Sequence, residues 1–384
     1  MDIYIMPIRT AVIFFFLLSF FLLIPWLIYS YRKYGYLSIW ASMVAYSFIF
    51  YMLTALFLVL LPLPATRDIR SLQSPDTKHY SLIPFQFIWD IVHSSAVITQ
   101  LSTYIELFKQ SAFLQAFFNL LLLLPFGVYL RYFFQSEKYW KKVFGLGFLV
   151  SLFFEVTQLT GIYGLYNAPY RIFDIDDLFL NSTGALLGFF IAPVILSLFP
   201  SRKTIQEKSL QVKKRSYIYP LQELLAVVVD YLIIKMSWNL TGGFFTSNTF
   251  IEFLYTMVGF MIFFFVIPII WNGKTIGTSI LRFKLTSING GVPDWRSLLK
   301  RTFSIGLPSV LTSVVRVISK VELDISSPFY IYQVWFDVVA IIVYFILWSV
   351  LFIHILFTLI QKGKHPFYFD RVASLIAKRD SAAT

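Results

Sequence analysis

Long apolar runs separated by short polar stretches set the pattern of this chain. A helix needs about 20 mostly apolar residues to cross a bilayer. The runs at 10–31, 39–63, 112–134, 143–161, 178–199, 221–238, 250–271, 302–318 and 334–360 fit that need, with 302–318 the shortest. Residues 81–98 are also apolar, but Pro84, Asp90 and His93 interrupt them, which predicts a re-entrant or interfacial segment. Residues 281–288 alternate and run into Asn289, Gly290 and Gly291, which predicts a small hairpin. Residues 295–301 read as a basic interfacial helix. The expected fold is all-α: a polytopic transmembrane helical protein of about nine spans, with one re-entrant or interfacial segment and a small cytoplasmic hairpin.

Composition narrows the function classes. Of 384 residues, 58% are hydrophobic and only 14% charged, against roughly 25% charged in a soluble domain. That argues against a soluble enzyme. The absence of cysteine excludes disulfides and thiol chemistry. The four histidines, His79, His93, His354 and His365, stand at no metal-ligand spacing, so no metal is expected from them. No phosphate-binding Gly-rich loop is present.

The net charge of +12 is mostly topological. Of the 32 Lys and Arg, 23 fall in the stretches 32–33, 131–142, 202–215, 274–301 and 362–379. These alternate with the spans, so the positive-inside rule puts them in the cytoplasm, the N-terminus outside and the C-terminus inside. Anionic lipid, not nucleic acid, is the expected partner of this charge. The first run has a weak basic start and no small-residue cleavage site, and reads as a retained helix.

Residues 201–216 form the one long charged run and read as a water-exposed cytoplasmic linker. They divide the chain into a transmembrane domain at 1–200 and a second at 217–384. The halves carry no sequence repeat, so an inverted-repeat transporter is not indicated.

Polar residues inside membrane segments are costly and are functional candidates. The first half concentrates them at its outer end. Asn119 precedes Pro125 in one span, and Glu155 and Gln158 share a helix face in the next. The outer loop supplies Arg171, Asp174, Asp176 and Asp177, and Asn181, Gly184 and Gly188 continue a stripe from Asp177 at spacings of four, three and four. Gly184 and Gly188 permit close helix approach. One reading is structural: Arg171 pins a loop by pairing with Asp174 or Asp177, and Asn181 bridges helices. The other is an outward-facing pocket for a phosphorylated or glycosylated lipid headgroup, with Arg171 reading the anion. A divalent cation on the carboxylates stays open, as does acid–base work by two of them. No nucleophile stands out, so no catalytic residue or cofactor is assigned.

In the second half, Asp230 lies mid-span, with Glu223 two turns earlier on the same face. Lys235 is a candidate partner for Asp230. Asp337 lies near the outer end of the last span. Asp230 and Asp337 are candidates for ion or proton handling, against a plain helix–helix contact.

Residues 83–199 resemble the VanZ-like family. The resemblance rests on Ile83–Phe85, the Asn119–Gly127 run, Glu155 with Gln158, Arg171, Asp174 and Asp177, and Asn181 with Gly184 and Gly188. It implies a role in the envelope of a bacterial cell, in multi-pass membrane form, linked to glycopeptide susceptibility of the teicoplanin type. A lipid-linked cell-wall precursor is then a candidate partner. Residues 219–378 resemble the RDD family, through GKTIGTSILRFKL, GGVPDWRSLLKR, Ala226 with Asp230, and Asp370. Glu223 stands where that family has its first Arg, which weakens an Arg-dependent role. Three functions remain: binding of an envelope lipid or glycan, an enzyme acting on a lipid-linked substrate, and an ion-coupled transporter centred on Asp230.

Overall fold

The computed structural model describes residues 2–94, 109–214, 218–318, 327–361 and 366–380. Among the described residues it is mostly helical, with two small two-stranded sheets. Among the described residues, eight helices are long and apolar enough to cross a membrane. Two compact units emerge, residues 1–23 with 38–206 and residues 24–37 with 207–384. The first helix, α1 (Asp2–Tyr34), therefore contributes to both units. Residues 24–37, in its second half and the turn after it, group with the second unit.

In the first unit, α2 (Ile39–Leu60) leads to an outer loop and to β1 (Tyr80–Ser81) and α3 (Gln86–Ser94). The next span is broken into α4 (Ser111–Leu122) and α5 (Leu124–Phe134). Pro125 causes the break, because it cannot donate to the preceding turn. The Tyr51 hydroxyl donates to the Leu122 carbonyl at 2.8 Å, satisfying one of the freed groups. α6 (Trp140–Leu159) and α7 (Ile175–Leu196) complete the unit, with β2 (Phe173–Asp174) between them.

α7 is the packing centre. A Cβ added at Gly184 would lie 1.8 Å from the Leu120 carbonyl oxygen, and one at Gly188 would lie 1.9 Å from that of Leu124. A Cβ at Gly127 would lie 1.8 Å from the Ala185 carbonyl oxygen. Only glycine allows backbones this close. Leu123, Phe126, Val143, Phe154, Ala185 and Phe189 fill the core around this contact.

Strand pairing fixes sidedness. β1 pairs in parallel with β2, Tyr80 opposite Phe173. The two loops thus share one face, and an even number of crossings separates them. α4–α5 and α6 supply two, so α3, only 9 residues long, does not cross. That fits the expected interfacial segment as far as residue 94; residues 95–98 lie outside the described residues. At the opposite end, Arg202 donates to the Phe133 carbonyl at 2.7 Å.

The expected linker at 201–216 is different from extended chain. α8 (Arg202–Lys213) is a helix, and Ile205, Ser209 and Val212 are buried along one side of it. Their spacing of four and three gives the segment the apolar face that its charge density conceals.

The second unit holds α9 (Pro220–Leu240), α10 (Thr249–Met261), α11 (Ile276–Ile280), α12 (Trp295–Ile318), α13 (Tyr330–Ile360) and α14 (Tyr368–Ala373). The expected hairpin is realised as a tight turn, with Gly290 donating to the Ser287 carbonyl at 2.8 Å. Its first strand, β3 (Phe283–Ser287), takes its partner from far along the chain, β4 (Leu375–Arg379), in antiparallel register. Pro293 removes a donor from the segment after the turn and leaves that segment unable to complete a ladder.

The ninth expected span, 302–318, lies within α12, which is not among the eight by length and composition. Arg296, Lys300 and Arg301 in its first turns lower its hydropathy. The fold nonetheless takes the chain away and brings it back. Arg301 pairs with Asp370 at 2.6 Å, and β3 pairs with β4. If α13 crosses, α12 crosses with it, and its 24 residues reach about 36 Å. The segment 295–301, expected as a surface helix, is the start of this helix, and Arg301 in it is buried.

Two outcomes test this packing. Gly184→Ala and Gly188→Ala force backbones apart, an overpacking cost of about 1–3 kcal/mol, and should lower thermal stability in detergent. Gly145→Ala, with nothing within 4 Å, should not. For sidedness, single cysteines at Gly291 and Val372 should react with an impermeant thiol reagent from the same side of the membrane. In the first unit, cysteines at Ser74 and Lys203 should react from opposite sides. Labelling of 291 and 372 from different sides would break the α12–α13 pairing.

Candidate functional site

α6 and α7 deliver most of the site. Ser151, Glu155 and Gln158 recur on one face of α6 at spacings of four and three. Asp174 caps α7, its carboxylate accepting from the Asp176 amide at 2.9 Å. Carboxylates here suit the positive end of the helix dipole. Asp177 and Asn181 follow one turn apart on the same helix.

All eight residues singled out from the sequence line one cavity of about 990 Å³: Asn119, Glu155, Gln158, Arg171, Asp174, Asp176, Asp177 and Asn181. Leu58, Val59, Leu121, Leu122 and Pro125 provide apolar wall. Asp90, on α3, also faces the cavity.

The roles differ from residue to residue. Asp176 is 2% exposed. Its two oxygens accept from the backbone amides of Phe85 and Phe87, at 2.5 and 3.1 Å, and hold the turn in which Phe85 has φ 64°. This is a structural bond between β1, α3 and the mouth of α7. Glu155 accepts from the Asp174 amide at 3.1 Å. Gln158 donates to the Val59 carbonyl at 2.7 Å, tying α6 to α2. Arg171 forms neither of the ion pairs considered for it. It is exposed and donates to the Leu61 carbonyl at 3.3 Å, so its charge stands at the rim. Asn119 donates to the Asp177 carboxylate, which also bonds to Glu155 and lies near Asp174 and Asp176. Burial holds the Asp174 carboxyl above the usual carboxylate range, and the charges of Asp176 and Asp90 add to that against the bond from the Asp176 amide. Among the described residues, no three His, Asp or Glu side chains converge as metal ligands.

Ser151 is the residue the sequence reading passed over. Its hydroxyl donates to the Asp177 carbonyl at 3.2 Å and accepts from the Asn181 amide at 2.8 Å. Asn181 thus does bridge helices. The signal was its place one turn before Glu155 on the same face.

Asp230 and Asp337 belong to the second unit. Asp230 is 1% exposed and accepts from the Gly277 amide at 2.6 Å. Lys235 is not its partner: Lys235 pairs with Glu252 at 2.8 Å and donates to Thr256. Asp337 is half-buried in α13, and no hydrogen bond or ion pair links it to Asp230 among the described residues. Arg301, Asp370 and Glu223 form a buried cluster instead. From sequence alone, Arg301 read as a surface charge.

Comparison with known proteins places both halves. Residues 48–196 match the model of the VanZ/LLP1 family, and residues 211–374 match that of the RDD family. No curated protein and no solved structure matches the chain. The chain is a polytopic membrane protein that joins a VanZ-like domain to an RDD-family domain.

Proposed function

We propose that this is a bacterial cell-envelope protein whose outward-facing cavity takes the headgroup of an envelope lipid or lipid-linked glycan. Occupancy would alter susceptibility to glycopeptides of the teicoplanin type. The observation that carries the reading is the make-up of the cavity. One space of about 990 Å³ combines carboxylates, carboxamides and a rim arginine with an apolar wall. That volume is at the upper end for small-molecule sites, and the mixture suits an amphiphile. Both family matches support a membrane and envelope setting.

An enzyme acting on the same lipid is the second reading. Its support is the facing pair of carboxyls, Glu155 and Asp177, which could divide acid and base roles. Mass spectrometry of lipid incubated with purified protein separates the two: unaltered lipid for a binder, a changed headgroup for an enzyme.

Two expected outcomes follow. Arg171→Ala and Glu155→Gln should abolish the change in glycopeptide susceptibility while folded protein in the membrane stays at wild-type level. Asp176→Ala should lose folded protein first, because it removes both acceptors of a buried turn, a cost of about 1–3 kcal/mol per stranded group. Equal loss of folded protein in all three variants would leave the cluster a purely structural role. Asp230→Asn, which keeps shape and removes charge, should leave susceptibility intact and eliminate any gradient-driven ion flux. Loss of susceptibility control in Asp230→Asn at normal protein levels would defeat the assignment to the first unit alone.

A further inference from the structure

The amide of Asn181 is oriented by its neighbours. Ser151 spends its proton on the Asp177 carbonyl, so it can only accept from Asn181, and the Asn181 Nδ2 faces it. The Asn181 Oδ1 is left as a buried acceptor with no partner, on a residue 3% exposed that lines the cavity. Such an atom calls for a donor.

The rest of the lining asks for the same chemistry. Among the described residues, Asp90, Glu155, Asp174, Asp176 and Asp177 line the cavity against a single cation, Arg171. Asp176 is fully engaged by backbone amides. Glu155 and Asp177 line the space as a mutually hydrogen-bonded pair, each with one oxygen also engaged by an amide donor. An anionic headgroup entering this end would meet carboxylates, while an ammonium would meet acceptors on several sides.

Resting on the lipid-binding reading above, we infer that the cavity selects an amphiphile carrying a primary amine, the ammonium seated among Asn181, Glu155 and Asp177. An anionic group on the same molecule would then be left to Arg171 at the rim. This assigns Arg171 and the acidic floor to the two ends of a zwitterion.

The test uses the full-length protein in bilayer discs, with two probes of identical acyl chains. One is phosphatidylethanolamine, the other its N-acetylated form, in which the amine is masked and uncharged. Retained lipid is counted by native mass spectrometry. The wild type should retain the free amine at least tenfold over the masked one, and Asn181→Leu should reduce that ratio to near one. The wild-type comparison needs no substitution, so it stands if Asn181→Leu folds poorly. Equal retention of both lipids would overturn the amine assignment and leave lipid binding standing. Retention of neither would overturn both. Stabilisation by soluble phosphoethanolamine to the same extent would support the amine chemistry and place its source in solution.

Discussion

The seating of Ile175–Leu196 against the backbone of its neighbours is the constraint on which the first unit depends. Helices in lipid gain nothing from hiding apolar surface from water, so close van der Waals packing holds them together. Gly184 and Gly188 let the helix descend onto the carbonyls of Leu120 and Leu124. That contact brings Asn119 within reach of Asp177. It also sets Asn181, on the same stripe, against Ser151. The site is therefore a consequence of two missing side chains lower in the same helix.

The second unit is fastened by charge. Arg301 is 1% exposed and Asp370 is 0% exposed. Their 2.6 Å bond joins the start of one helix to the segment after the last span. The guanidinium also lies 5.3 Å from the Phe369 ring centroid. Removing one partner of a buried pair costs about 3–5 kcal/mol, because the other is left uncompensated. The β3–β4 ladder beside it makes the same connection through the backbone.

The sequence was legible where structure is local. Span positions follow from apolar run length, and the polar stripe of Asp177, Asn181, Gly184 and Gly188 follows from helical period. The eight cavity residues could be grouped because a membrane makes every polar residue conspicuous. What stayed hidden depended on partners distant in the chain. β3 reads as half of a local hairpin, since nothing in its own residues points to β4 some ninety positions later. Arg301 reads as a surface charge among Arg296 and Lys300, because only Asp370 justifies burying it. Ile205 and Val212 are diluted by the lysines around them. Ser151 is small enough to pass for a helix-packing residue.

Buried carboxyls have different meanings in the two units, and the surroundings decide which. In the second unit Glu223 and Asp370 sit with Arg301 in a closed interior. Charge there must be matched within the fold, because nothing else can reach it. In the first unit the carboxyls line an open cavity, with Arg171 at its rim and an unpartnered acceptor, Asn181 Oδ1, on its wall. On the reading proposed above, the positive charge and the donor come from a bound molecule. That reading assigns a lipid headgroup carrying both to the apolar wall and the acidic floor together.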